Sequence, residues 1–334
     1  AGIPFYSVSS NNSMYTHDVS GTDSTAENNT AYGFAAMDAI TTGDHNVAIG
    51  KESLTANTSG ASNISIGVQA NFGADTENHN LSIGQAALGS SVAGGEYNVA
   101  VGNFALDALI SGDNNIAVGY EAGSGITEGD RNVLIGDNAG KSLTLGDENV
   151  AVGYEALKNE DGNGRNTAIG TGTLFTQNAG AEAYNVAVGF QAGGAITTGV
   201  KNVLVGSFAL DAANTGTENT AIGHQALTAD TKGNRSVAVG AGALGTQNFT
   251  SATSVYNVAV GYNAGNVITT GTSNTLIGAL AGDALTDGNR NTGVGISNLT
   301  AETSGVSNTA LGASALTTSN GGNFNSAVGD QALA

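Results

Sequence analysis

Hydrophobic and polar positions alternate along the chain in a short rhythm that returns at fixed spacing. One stretch reads Asn46-Val47-Ala48-Ile49-Gly50; Asn115-Ile116-Ala117-Val118-Gly119 and Asn219-Thr220-Ala221-Ile222-Gly223 repeat it. After the glycine come two variable residues, usually an Ala and then Leu or Gly, and a polar turn that often contains Thr-Gly. The closing glycines, from Gly33 to Gly329, number eighteen and stand 17 residues apart. Three steps are longer: Gly84 to Gly102 is 18, Gly170 to Gly189 is 19, and Gly240 to Gly261 is 21. A period this short marks a stack of supersecondary units, each unable to bury its hydrophobic face alone.

The Val-x-Ile alternation predicts a strand of period two. A second short extended stretch, such as Glu155-Ala156-Leu157, follows the glycine, and Gly, Asn, Asp and Thr then close the unit. No stretch between turns has the length of an ordinary helix. Two short strands per unit predict an all-β fold: a parallel β-solenoid of about 18 coils with a 17-residue repeat. Strand spacing of about 4.8 Å would make the stack roughly 85 Å long. Residues 29–334 form the repeat array, and residues 1–28, with Ile3-Pro4-Phe5-Tyr6 and a Ser/Asn/Thr-rich run, form an N-terminal arm or docking segment. The array stops partway through a coil at Asp330-Gln331-Ala332-Leu333-Ala334. An open coil offers unpaired strand edges. Two expectations follow: end-to-end stacking of this coil on the arm of another subunit, or a chain that is part of a longer protein.

The recurrent residues have structural roles on this reading. Asn46, Asn115, Asn149 and Asn219 head their units, and in register their amides can bond up and down the stack as a ladder. Ser236 replaces the Asn once. Gly50, Gly119, Gly153 and Gly223 mark a tight corner suited to positive φ. The Val and Ile of each strand are read as pointing into the coil. The middle residue then points outward: Ala48, Ala117, Leu134, Ala151, Leu204, Leu276. Such a small apolar stripe predicts a contact with identical chains along a symmetry axis; the alternative is a flattened coil whose two faces both touch its own interior.

Composition narrows the function. The chain of 334 residues has 51 Gly, one Pro, no Cys and no Trp, and a net charge of −19. Without Cys there is no disulfide scaffold, thiol nucleophile or Cys-zinc site. A single Pro excludes collagen. The strong negative charge disfavours phosphate-backbone binding, so nucleic acid is not an expected partner. A 40% hydrophobic content argues against disorder. No apolar run approaches a membrane span, so no membrane insertion is expected of this chain.

The repeat resembles the head repeats of YadA-like trimeric adhesins, and related repeats occur in trimeric phage tail fibres. Asn149-Val-Ala-Val-Gly-Tyr-Glu-Ala-Leu157 and Asn219-Thr-Ala-Ile-Gly-His-Gln-Ala-Leu227 carry the resemblance, which covers about nine-tenths of the chain. It implies a left-handed parallel β-roll, three identical chains around one axis, and attachment to a surface or host. The 17-residue unit is longer than the usual adhesin repeat, and no heptad stalk, anchoring barrel segment or folding chaperone is recognisable.

The three insertions fall before the repeat Asn and end in Tyr: Tyr97, Tyr184 and Tyr256. Loops raised on a rigid scaffold commonly carry binding. A Tyr ring can stack on a sugar while its hydroxyl bonds, or it can pack under its own loop or across a trimer contact. The turn acids Asp44, Asp113, Asp130 and Asp147 share one position and suggest at most weak Ca²⁺ sites; the nonapeptide calcium signature is absent, and no metal or other cofactor is expected. No Walker loop, nucleophile elbow or His-Glu-x-x-His motif occurs. The expected function is a non-enzymatic adhesive fibre, extracellular on a cell surface or virion, whose partners are identical chains and a host or cell-surface glycan or receptor. The alternatives are a monomeric binding solenoid, such as an ice-binding protein using Thr41-Thr42, Thr197-Thr198 and Thr269-Thr270, or a polysaccharide depolymerase with a carboxylate pair.

Overall fold

A computed structural model describes residues 6–8, 12–16, 25–90, 95–162, 164–318 and 320–334, with backbone alone for 6–8. Most of the 1–28 segment and residues 91–94 of the first insertion therefore lie outside the described residues. The chain is an all-β parallel solenoid of about 18 turns, with no helix among the described residues. It divides into two compact units, 1–165 and 166–334.

In the first unit, three-residue strands recur from Thr30–Tyr32 and Val47–Ile49 to Val133–Ile135 and Val150–Val152, each parallel to the next. The register is one coil per strand, as in Ala48 opposite Ser65 and Ala117 opposite Leu134. Two described segments of residues 1–28 pair with the sheet. Ser13–Tyr15 pairs in parallel with Thr30–Tyr32, and Tyr6–Val8 folds back antiparallel on it. In the second unit the same order runs from Thr167–Ile169 to Ser326–Val328. The insertion before Tyr256 adds a small parallel pair there, Gly233–Asn234 with Thr253–Ser254.

The second strand expected in each coil does not form. Glu155-Ala156-Leu157 is turn: Glu155 and Leu157 hold φ of 54° and 52°, and the Ala156 N–H bonds the Gly153 carbonyl at 3.3 Å. The left-handed residues rotate alternate amides up and down the stack. Glu52 N–H thus donates to Phe34 O in the preceding coil, and Leu54 N–H to Ala70 O in the following one. Backbone pairing continues through the turn without strand geometry, which satisfies groups that burial would otherwise strand.

The facing of the strand is also the reverse of the sequence expectation. Ala48, Ala117, Leu134, Ala151, Leu204 and Leu276 are fully buried inside their own coils, whereas Ile49, Ile116, Ile135, Val203, Val205 and Ile277 are 38–41% exposed. The expected outward Ala stripe is therefore an interior column. Strand parity explains it: side chains two apart share a face, so the residue two after the Asn follows that Asn inward. Asn46, Asn115, Asn149 and Asn219 are essentially buried. Most coil interiors also take a small residue three after the corner glycine, such as Ala122 or Ala226, and an apolar one four after it, such as Leu106 or Leu157.

Candidate interaction surfaces

The buried Asn column is doubly bonded within each unit. Asn115 N–H donates to Asn98 Oδ1 at 2.8 Å, its Nδ2 to Gly129 O at 2.8 Å, and its Oδ1 accepts the Asn132 N–H at 3.0 Å. Asn46, Asn149 and Asn219 make the same Oδ1 contact to the preceding coil at 2.8–2.9 Å. These amides are used up inside the chain and offer nothing to a ligand. Where Ser236 interrupts the column, Gln247 compensates: its Nε2 bonds Ser236 Oγ at 3.0 Å, and its Oε1 accepts from Asn257 Nδ2 at 2.9 Å. The corner glycines Gly50, Gly119, Gly153 and Gly223 hold φ of 132–141°. A methyl group at Gly50, Gly119 or Gly223 would overlap the backbone of the next corner glycine, so the column has a packing cause.

The turn acids form a second ladder. Asp44, Asp113, Asp130 and Asp147 each accept, through Oδ1, the N–H of a residue one coil earlier, at 2.7–2.8 Å. Asn78, Asn234 and Asn289 do the same in other coils. A neutral amide serves this position as well as a carboxylate, so the position selects an acceptor rather than a charge. No group of three or more His, Asp or Glu suited to a metal occurs among the described residues.

Tyr97, Tyr184 and Tyr256 stand immediately before the repeat Asn, with φ of 51–58°, and are 45–53% exposed. They occupy the position taken elsewhere by His45, Arg131, Glu148, Arg165, Lys201, Glu218 and Arg235. Left-handed geometry turns each of these side chains outward over its neighbours. Tyr97 stacks on His79, with ring centroids 4.9 Å apart and planes at 14°. Tyr256 lies 5.9 Å from the Arg235 guanidinium, which donates to its hydroxyl at 3.3 Å. Hydrogen bonding to Ser254 and Arg235 lowers the Tyr256 hydroxyl below the usual phenol range. Glu218, hydrogen-bonded by Arg235, is held below the usual carboxylate range, as is Glu148 by Arg165. The tyrosines are thus exposed and partly engaged with neighbouring side chains within their own units.

The strand face presents a different chemistry. Its outward residues alternate between coils with no charge among them: Val47, Ile49, Ile64, Ile66, Ile116 and Val118 in the first unit, Val203, Val205, Thr220 and Ile222 in the second. Tyr120 and Tyr154 in the first unit, and Phe190 and Tyr262 in the second, follow the corner glycine and are 44–60% exposed. Each unit therefore carries an apolar sheet face that its own chain leaves uncovered. In the three Thr pairs, Thr41, Thr197 and Thr269 donate to carbonyls of the following coil at 2.8–3.1 Å, whereas Thr42, Thr198 and Thr270 are exposed.

One carboxylate pair has opposed environments. Burial raises Asp107, while the hydrogen bond from Lys141 holds Glu121 low. Lys141 and Tyr120 both bond Glu121. No family model, curated protein or solved structure matches this chain.

Proposed function

We propose that this chain is a non-enzymatic adhesive fibre protein, extracellular on a cell surface or virion, working as a homotrimeric rod. Its resemblance to YadA-like head repeats, and the left-handed roll and phage-fibre parallel that come with it, belong to the same proposal. The supporting observation is the uncovered apolar strand face. In the second unit alone, Ile169, Val186, Val203, Val205, Ile222 and Ile277 are 37–41% exposed. Exposed apolar surface repeated coil after coil is a feature that soluble chains cover. Identical chains supply a matching surface, because each repeats at the same coil spacing. The interchain contact is thereby moved from the Ala column to the β-branched columns on either side of it.

The corners carrying Tyr97, Tyr184 and Tyr256 then face away from the axis and offer aromatic and charged groups to a glycan or receptor. Light scattering on the purified chain tests the assembly: a trimer is expected, and a stable monomer at micromolar concentration would remove the main support. Loss of cell-surface binding in a triple Tyr→Ala variant that stays trimeric tests the attachment surface.

A further inference from the structure

The second unit holds a recess of about 410 Å³ lined by Ala195, Ala212, Asn214, Thr231, Lys232 and Thr250. We infer that it binds a carboxylate-bearing sugar residue of a glycan chain. This rests on the attachment reading and names a ligand class and a place for it.

The recess exists because one turn departs from the repeat. The step from Gly240 to Gly261 carries four extra residues. Phe249 tucks inward at 8% exposure, and Thr253–Ser254 pairs with Gly233–Asn234, which sets Thr250 beside the turn of the preceding coil. Ala195 and Ala212 stand six residues after their corner glycines and furnish methyl groups as the floor. Thr231 spends its hydroxyl on Asn248 Oδ1 and Phe249 O, both at 2.9 Å, so it adds shape rather than an open polar group.

The groups left over are donors. Lys232 is half-buried and forms no ion pair among the described residues, although the chain has 28 acidic residues against 9 basic ones. The Asn214 Oδ1 is occupied by the Thr197 hydroxyl, leaving its Nδ2 unpaired among the described residues. The Thr250 hydroxyl likewise has no partner there. An ammonium, an amide N–H₂ and a hydroxyl above an apolar floor fit an acceptor-rich ligand with one apolar face. A uronate-type pyranose has that form: carboxylate and ring hydroxyls on its edge, C–H groups on its face. The volume falls within the range of about 300–1,000 Å³ usual for small-molecule sites. A polyanion such as nucleic acid would meet the net charge of −19, whereas a single carboxylate is neutralised by Lys232.

Titration of the full chain with trigalacturonate, followed calorimetrically, tests the assignment against its methyl-esterified form. Saturable binding is expected for the free acid, weakened at least tenfold by esterification and by Lys232→Gln. Lys158→Gln, in the first unit, should leave it unchanged. Equal binding of acid and ester, an unaffected Lys232→Gln with wild-type circular dichroism, or no saturable binding would each overturn the inference. Light scattering on the same samples separates the failures. A trimer that ignores the acid loses this site and keeps the fibre, whereas a monomer that binds it keeps the site and loses the fibre.

Discussion

The single residue with most to lose is the ladder Asn. Replacing Asn115 by Ala leaves the Asn132 N–H and the Gly129 carbonyl buried without their partners. Each orphaned group costs about 1–3 kcal/mol, so Asn115→Ala should lower stability by roughly 2–4 kcal/mol in chemical denaturation. The column is visible in the amino-acid sequence because it recurs. Gln247 is not, because its partners Ser236 and Asn257 are joined to it only through the stack. The same network contains Asp230, whose Oδ1 accepts from Gly233 N–H at 2.9 Å and whose Oδ2 accepts from Gln247. Burial pushes its carboxyl up, with those hydrogen bonds opposing. A group raised in the folded state stabilises more as pH falls, through its folded value and on down to its unfolded value of about 3.9. Relative to Asp230→Asn, the wild-type chain should therefore gain melting temperature between pH 7 and pH 4. A constant difference across that range would show that Asp230 does not titrate abnormally.

The interior of the stack is filled by exchange between two positions, within a coil or between adjacent coils. The commonest pairing places Leu four residues after the corner glycine and Ala in mid-strand, as with Leu227 and Ala221. Around a mid-strand Leu the other position is Gly: Gly140 and Gly282 share a coil with Leu134 and Leu276, and Gly123, Gly193 and Gly265 stand one coil before Leu134, Leu204 and Leu276, whose side chains reach them. A Cβ at Gly193 would come within 2.7 Å of Leu204 Cδ1 and 2.9 Å of Leu174 Cδ2. The backbone itself is no obstacle, since Leu174 and Leu210 occupy the same left-handed position at φ of 49° and 47°. Gly193→Leu should thus destabilise by overpacking, about 1–3 kcal/mol. Adding Leu204→Ala should restore most of the loss, as read by a thermal double-mutant cycle. The exchange is legible as Leu and Gly trading places in the repeat, but its meaning depends on both positions pointing into one narrow interior. The missing second strand has a similar cause. Glu155 and Leu157 look extended in an alternating pattern, yet left-handed turns reach the neighbouring coils' carbonyls better.

For the molecule as a whole, charge and apolar surface pull in opposite directions. A net charge of −19 per chain disfavours bringing chains together, while the uncovered β-branched face favours it. Salt decides between them by screening: the Debye length falls from about 30 Å at 0.01 M to about 8 Å at 0.15 M. Association through the strand face should therefore strengthen across that range, measured as a falling dissociation constant by analytical ultracentrifugation. Weakening with salt would mark an electrostatic contact, such as one through Arg131, Glu148 and Arg165. Paired substitution of Val203 and Val205 by Asp should abolish association without unfolding the coil, because both side chains are 38–39% exposed in the single chain.

Recurrence alone was enough for the repeat length, the β-class, the parallel stacking and the column roles of Asn and Gly. Each is a consequence of identical units needing one another to bury their faces. The inside and outside of the strand required the folded chain. Period two divides residues into two sets without saying which set is interior, and hydrophobicity pointed to Val and Ile. The deciding fact is the hydrogen bonding of the Asn amides to carbonyls of the next coil, as from Asn115 to Gly129 and Asn219 to Gly233. Those bonds hold the Asn inward and carry Ala117 and Ala221 in with it, while Ile116, Val118 and Ile222 are left on the surface for a partner.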